Sequence, residues 1–164
     1  MTDFPQLLAL LADGGVDHII VGGLAATVHG SSRLTQDLDV VYDRTDANLR
    51  RLADALRRST PYLRGAPPGL PFESSTATLK RGLNFTLTTS LGDLDLLGEI
   101  PGGGAYQDLL PHTIEVELFG RVHRCLDLPA LIRAKRAAGR PRDLETVAEL
   151  EALREEAGPT SGQS

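Results

Sequence analysis

A chain of 164 residues, 41% of them apolar, can bury a substantial core, which excludes a disordered chain. A net charge of −5 excludes a general polyanion binder, and a single cysteine, Cys125, excludes an internal disulfide. The start MTDFPQLLALLADGG lacks the basic and small-residue features of a signal peptide, and its apolar run is too short to span a bilayer, so a cytoplasmic protein with no membrane contact is expected.

Aromatic residues are scarce, with four Phe, three Tyr and no Trp, so the core must rest on Leu, Val, Ile and Ala. Residues 3–13 place Leu7, Leu8, Leu10 and Leu11 at helical spacing, and Gly14–Gly15 stops the helix. HIIV at 18–21 predicts a short strand. Gly22–Gly23 opens a turn, and LAATVH predicts a short helix ended by Gly30. SSRLTQ at 31–36 is a polar loop, followed by a strand over 37–42. Thr45 or Asp46 can cap the next helix, whose stripe is Leu49, Leu52 and Leu56. Residues 60–71, rich in Pro and Gly, predict an exposed loop.

NFTLTT and GDLDLLGEI alternate as two strands joined by a tight turn at 90–92. GGGAYQDLLPH is a glycine-rich connection with room for one helical turn. TIEVELFG and RVHRCLD predict a hairpin around Gly120. LPALIRAKRAA and DLETVAELEALREEA predict two amphipathic helices separated by GRPR. The order predicts an α+β fold, a mixed β-sheet with helices packed on one side and a C-terminal helix pair. Residues 1–156 are expected to form a single domain and 157–164 a flexible tail.

The chemistry begins at Asp37-Leu38-Asp39. Side chains two apart on a strand share a face, so two carboxylates point one way while Leu38 and Val40 point to the core. Their repulsion is relieved by a divalent cation, which takes carboxylate oxygens as ligands, although a D-x-D on a solvated face has the same spacing. GDLDLLGEI repeats the pattern with Asp93 and Asp95. If the two strands are neighbours, a third carboxylate joins the first two, and three can hold two metal ions that serve an in-line phosphoryl displacement. Gly22–Gly23, between a strand and a helix, would let the backbone approach a phosphate chain at a helix N-terminus; an ordinary tight turn has the same sequence.

In this order the glycine pair, helix, loop and D-x-D resemble the DNA polymerase β-like nucleotidyltransferase superfamily. The resemblance extends to a small bacterial branch with the AbiEii-like toxins, through Arg33-Leu34-Thr35-Gln36-Asp37-Leu38-Asp39, Lys135 and Arg140-Pro141-Arg142-Asp143. It covers residues 18 to about 150. It implies a minimal nucleotidyltransferase fold and transfer of a nucleoside monophosphate from an NTP to an acceptor hydroxyl, with two Mg²⁺ ions. Asp37 and Asp39 would bind both ions. Asp95, with Asp93 as runner-up, would complete the site and take the acceptor's proton. Gly22, Gly23, Arg33 and Lys135 would hold the nucleotide phosphates. The acceptor would be a tRNA, a protein or a small molecule, and an antitoxin partner is implied if the toxin likeness carries over.

The resemblance departs at Leu24, where the family usually carries Ser. Ser31, Ser32 or backbone N–H groups would have to replace that hydroxyl. The departure keeps a non-catalytic nucleotide- or partner-binding module as the alternative, beside a plain interaction domain. Arg33 either reaches phosphate or pairs with Asp37, and Thr35 orders the loop. Lys135 is either a solvated cation or a phosphate contact, and Asp143 suits a helix dipole. Arg140 and Arg142 are either a nucleic-acid patch or plain surface. His18, His29, His112 and His123 lack metal-ligand spacing, and Cys125 reads as a small core residue.

Overall fold

The computed structural model describes residues 1–67 and 70–157. Helix α1 (Phe4–Asp13) starts at Asp3, whose carboxylate accepts a hydrogen bond from the Gln6 N–H at 3.0 Å, and it buries Leu7, Leu8 and Leu11. Strand β1 (His18–Val21) is buried throughout and runs directly into α2 (Gly22–Val28). The chain turns from strand to helix at the glycine pair itself, where Gly22 has a φ of +67°. Strand β2 (Asp37–Tyr42) and helix α3 (Asp46–Arg57) follow, with Asn48 fully buried. Its side-chain amide donates to Asp17 O (3.1 Å) and Asp43 O (2.7 Å) and accepts from the Asp17 N–H (2.7 Å), tying α3 to the ends of β1 and β2.

The expected loop over 60–71 is only partly one. Tyr62–Leu63 forms an edge strand, β3, and Tyr62 also bridges to Pro71. Helix α4 (Thr76–Arg81) has one buried residue, Leu79, too weak a pattern to read from sequence. Strands β4 (Phe85–Thr89) and β5 (Gly92–Leu97) form the hairpin. The strand expected over 92–100 breaks at Gly98, where a Cβ would lie 2.3 Å from Leu83 Cδ1. Residues Glu99–Ile100 (β6) pair instead with Gly104–Ala105 (β7) in a separate two-stranded sheet. A short helix, α5 (Tyr106–Leu109), then leads through a 3₁₀ turn into β8 (Thr113–Leu118) and β9 (Arg121–Leu126). Their two-residue connection, Phe119–Gly120, has positive φ at both positions, +53° and +82°, as a type I′ hairpin requires.

Helix α6 (Leu128–Ala138) is capped by Asp127 and ends at Gly139 in the left-handed region. Helix α7 (Pro141–Ala157) starts two residues before the expected 143, with Pro141 in its first turn. The tail expected at 157–164 lies, beyond Ala157, outside the described residues. No helix among the described residues is long and apolar enough to cross a membrane.

The main sheet has the order β3-β4-β5-β2-β1-β9-β8, with β2–β5 and β1–β9 parallel and the other pairs antiparallel. This is the mixed sheet of an α+β fold. Leu38, Val40 and Tyr42 are fully buried along β2 with Ile19 and Ile20 of β1 and Leu49, Leu52 and Leu56 of α3. The Tyr42 hydroxyl is satisfied in this core: it donates to Leu83 O (2.7 Å) and accepts from Arg44 Nη1 (2.5 Å). Helix α2 packs on β1, β2 and α6, and α6 packs on α7, so the C-terminal helix pair stands beside the glycine turn.

Candidate active site

Two strand pairings build the acidic cluster. Parallel pairing of β2 with β5 sets Asp37 opposite Asp93 and Asp39 opposite Asp95. Antiparallel pairing of β1 with β2 sets Val21 opposite Asp39, so α2 begins beside that carboxylate. Alternation along each strand sends all four aspartates to one face while Leu38, Val40, Leu94 and Leu96 fill the core. One oxygen from each of Asp37, Asp39 and Asp95 lies within 4.8 Å of the others. Asp93 stands outside this group and accepts a hydrogen bond from Thr88 Oγ1 at 3.1 Å.

The glycines fit this geometry tightly. A Cβ on Gly22 would lie 2.1 Å from Asp39 Oδ2, and one on Gly23 would lie 2.4 Å from Thr35 Oγ1. Gly22 also has a φ of +67°. The Thr35 hydroxyl donates to Asp37 O at 3.2 Å, which orders the loop into the D-x-D strand.

Burial pushes the Asp39 carboxyl up to about 7, aided by the charge and hydrogen bonding of Asp95 and by Asp37, while Lys135 opposes the rise. Asp37 is also raised, first by burial and then by Asp95, against the pull of Arg64. Asp39 Oδ1 is buried and has no hydrogen-bond partner among the described residues. Three converging carboxylates, one of them with a buried, orphaned oxygen, suit an oxygen-loving divalent cation such as Mg²⁺.

A cavity of about 600 Å³ opens beside the cluster. Gly23, Asp37 and Asp39 line one part, and Arg33, Lys135, Arg140 and Arg142 line another. Lys135 is not a solvated cation: its side chain is 17% exposed and its Nζ lies 3.6 Å from Asp143 Oδ1. Asp143, only 1% exposed, holds two of these cations in place. Its Oδ2 accepts from Arg140 Nε at 2.6 Å and from the Arg140 backbone N–H at 3.3 Å, as the N3 carboxylate of a capping box does. Burial raises its carboxyl, but the hydrogen bonds and charges of Arg140 and Lys135 outweigh this and hold it below its ordinary value.

Arg33 does not pair with Asp37. Its guanidinium lies 3.2 Å from Glu145 and 3.9 Å from Glu149 on α7. Glu149 also accepts from the hydroxyls of Ser31 (2.6 Å) and Ser32 (3.2 Å) and from the Ser32 N–H (3.2 Å). Both hydroxyls are thereby engaged, and Leu24, where the resemblance expects Ser, is buried in the core. A second cavity, about 660 Å³, lies across residues 34–36 and reaches Phe4, Thr88 and Asp93.

Sequence reasoning missed Arg64 and Glu149. Arg64 follows β3, and its Nη2 donates to Asp95 Oδ1 and to Leu87 O, both at 2.8 Å. Both contacts cross long stretches of chain, and no local pattern announces them. The four histidines stand apart from the cluster. His29 meets Leu126 O at 2.7 Å, His112 is exposed, and His18 and His123 form a buried pair. Burial pushes the Cys125 thiol up to about 12, helped by Asp127.

No protein-family model matches the chain, and no curated protein matches it. Among solved structures it is similar to the lincomycin-bound crystal structure of the lincosamide antibiotic adenylyltransferase LnuA. The TM-score is 0.60 at 15% identity, over 92% of this chain and 96% of that one. At that identity the likeness is one of fold.

Proposed function

We propose that the protein, with this adenylyltransferase-like fold as premise, is a metal-dependent nucleotidyltransferase that moves a nucleoside monophosphate from an NTP to an acceptor hydroxyl. The observation that carries this reading is the convergence of Asp37, Asp39 and Asp95 beside a cavity rimmed by Arg33, Lys135, Arg140 and Arg142. The three aspartates would hold Mg²⁺, with two ions expected. Bound there, Mg²⁺ would supply charge neutralisation at the transferring phosphorus and its leaving pyrophosphate. Lys135, Arg140, Arg142 and Arg33 would bind the triphosphate, with Asp143 and Glu149 setting their positions. Gly22 and Gly23 would keep the phosphate side of α2 open. Asp95 would take the acceptor's proton.

A small-molecule acceptor is the first choice, because a similar solved structure is an antibiotic adenylyltransferase with lincomycin bound. A tRNA or a protein acceptor follows from the superfamily resemblance, and the AbiEii-like likeness would also bring an antitoxin partner. We place this activity in one domain over residues 1–156, in the cytoplasm.

The test is transfer of α-³²P label from each of the four NTPs, with Mg²⁺, to lincomycin and other hydroxyl-bearing antibiotics, bacterial RNA and protein. The expected result is label on one acceptor class, lost by at least roughly a thousandfold in an Asp37→Asn/Asp39→Asn variant. Label that persists in the variant would overturn the reading. One observation favours a second reading, a nucleotide-binding module without turnover: Leu24 is buried and Glu149 engages Ser31 and Ser32, so none of these three positions offers a free hydroxyl to the glycines. That reading predicts Mg²⁺-dependent NTP binding with no label on any acceptor.

A further inference from the structure

We propose that Arg64 is the resident counter-ion of the acidic cluster, and that a divalent cation binds there in exchange for its guanidinium. The inference rests on the metal-site reading above. The Arg64 guanidinium reaches three of the four aspartates: Asp95 Oδ1 at 2.8 Å, Asp93 Oδ1 at 3.6 Å and Asp37 Oδ2 at 3.7 Å. Two of these three residues, Asp37 and Asp95, belong to the group whose oxygens converge for a metal. Cation and guanidinium therefore draw on the same carboxylates.

The guanidinium is held by charge more than by hydrogen bonds. Nη2 makes both of its close contacts, to Asp95 and to Leu87 O, while the buried Nε has no hydrogen-bond partner among the described residues. A five-donor group satisfied at one nitrogen forms no bidentate fork with any of the carboxylates. Such a pair is exchanged more readily than a fully bonded one. The side chain is 29% exposed, so it has a route outward. Its place directly after the edge strand β3, at the rim of the sheet, means that releasing it breaks no central strand pairing.

Arg64 thus sets how tightly metal binds before nucleotide arrives. The test is Mn²⁺ binding followed by calorimetry at low salt, without nucleotide, in wild type, Arg64→Gln and Asp39→Asn. Arg64→Gln is expected to bind Mn²⁺ roughly tenfold more tightly than wild type, the scale of one charge-assisted hydrogen bond removed from the competing side. It should also melt lower than wild type without metal and gain more on adding Mn²⁺. Equal or weaker binding by Arg64→Gln, with Mn²⁺ still bound by wild type and lost in Asp39→Asn, would overturn the exchange and leave the metal site standing. No Mn²⁺ binding by either protein would overturn both. A measurement on wild type alone covers a variant that fails to fold. The arginine Nε–H resonance of Arg64 should move on Mn²⁺-free Mg²⁺ titration, and an unmoved resonance at saturating Mg²⁺ would overturn the exchange.

Discussion

Gly22 is required by what lies against it as well as by its backbone. Its φ of +67° strains any L side chain, and a Cβ there would overlap the Asp39 carboxylate. Gly22→Ala is expected to lose roughly 2–4 kcal/mol in urea unfolding and to displace Asp39 in whatever folds. Gly23→Ala, without a positive φ, should lose less, because the Thr35 side chain on the loop can shift. Asp39 has the opposite sign. Its folded pKa, pushed up to about 7, lies above the unfolded value near 3.8, so its contribution to stability is full below about pH 4 and is lost as pH rises through 7. Asp39→Asn should therefore stabilise the metal-free protein by roughly 1–2 kcal/mol at pH 8 and much less at pH 4, read from denaturation at both values. The aspartates were legible because a period of two puts both of each pair on one face. Arg64 was not, because only the folded pairing of β3 with β4 brings it to Asp95.

At the scale of elements, legibility follows length and burial. Strands β1, β2, β5, β8 and β9 carry apolar residues in runs or alternation, and all were readable, though β5 ends earlier than expected, at Leu97. Strands β3, β6 and β7 are two residues each and exist only through their partners, so no periodicity could announce them. The parallel pairing of β1 with β9 encloses the histidine pair. The His18 Nδ1–H donates to Val16 O at 2.8 Å, which leaves Nε2 to accept from the His123 Nδ1–H at 3.3 Å. His123 Nε2 is then buried, with no hydrogen-bond partner among the described residues. Burial lowers both rings, His123 to about 4, with His18 and Arg121 adding to the fall. Because the folded pKa lies below the unfolded 6.5, the stability this contributes is complete above about pH 6.5 and is lost as pH falls toward 4. Wild type should lose roughly 2–3 kcal/mol over that window in excess of His123→Leu, measured by unfolding at pH 7 and pH 4.5.

At the scale of the molecule, a chain of net charge −5 concentrates four cations around one cavity. They come from the loop after α2, from α6 and from the start of α7, so the cavity exists only when the C-terminal helices are docked. Arg136 to Glu151 at 2.7 Å ties α6 to α7, and Glu149 ties α7 to the 31–36 loop. A ligand that bridges these cations to the aspartates joins both halves of the fold and should stabilise it as a whole. By mass action, NTP with Mg²⁺ at about a hundred times its Kd adds roughly 2.7 kcal/mol, a rise of about 5–10 °C in Tm for a chain of this size. Lys135→Ala should cut that rise by losing the proposed phosphate contact. Glu149→Ala should cut it by releasing Arg33 and the loop, and Asp37→Asn/Asp39→Asn should remove the metal-dependent part. Raising salt from 50 to 300 mM should shrink the wild-type shift, because attraction to the exposed guanidinium groups of Arg33 and Arg140 is screened. A shift that survives the double substitution unchanged would place the nucleotide away from the carboxylates. A shift that vanishes with them ties nucleotide, metal and both halves of the fold to one site.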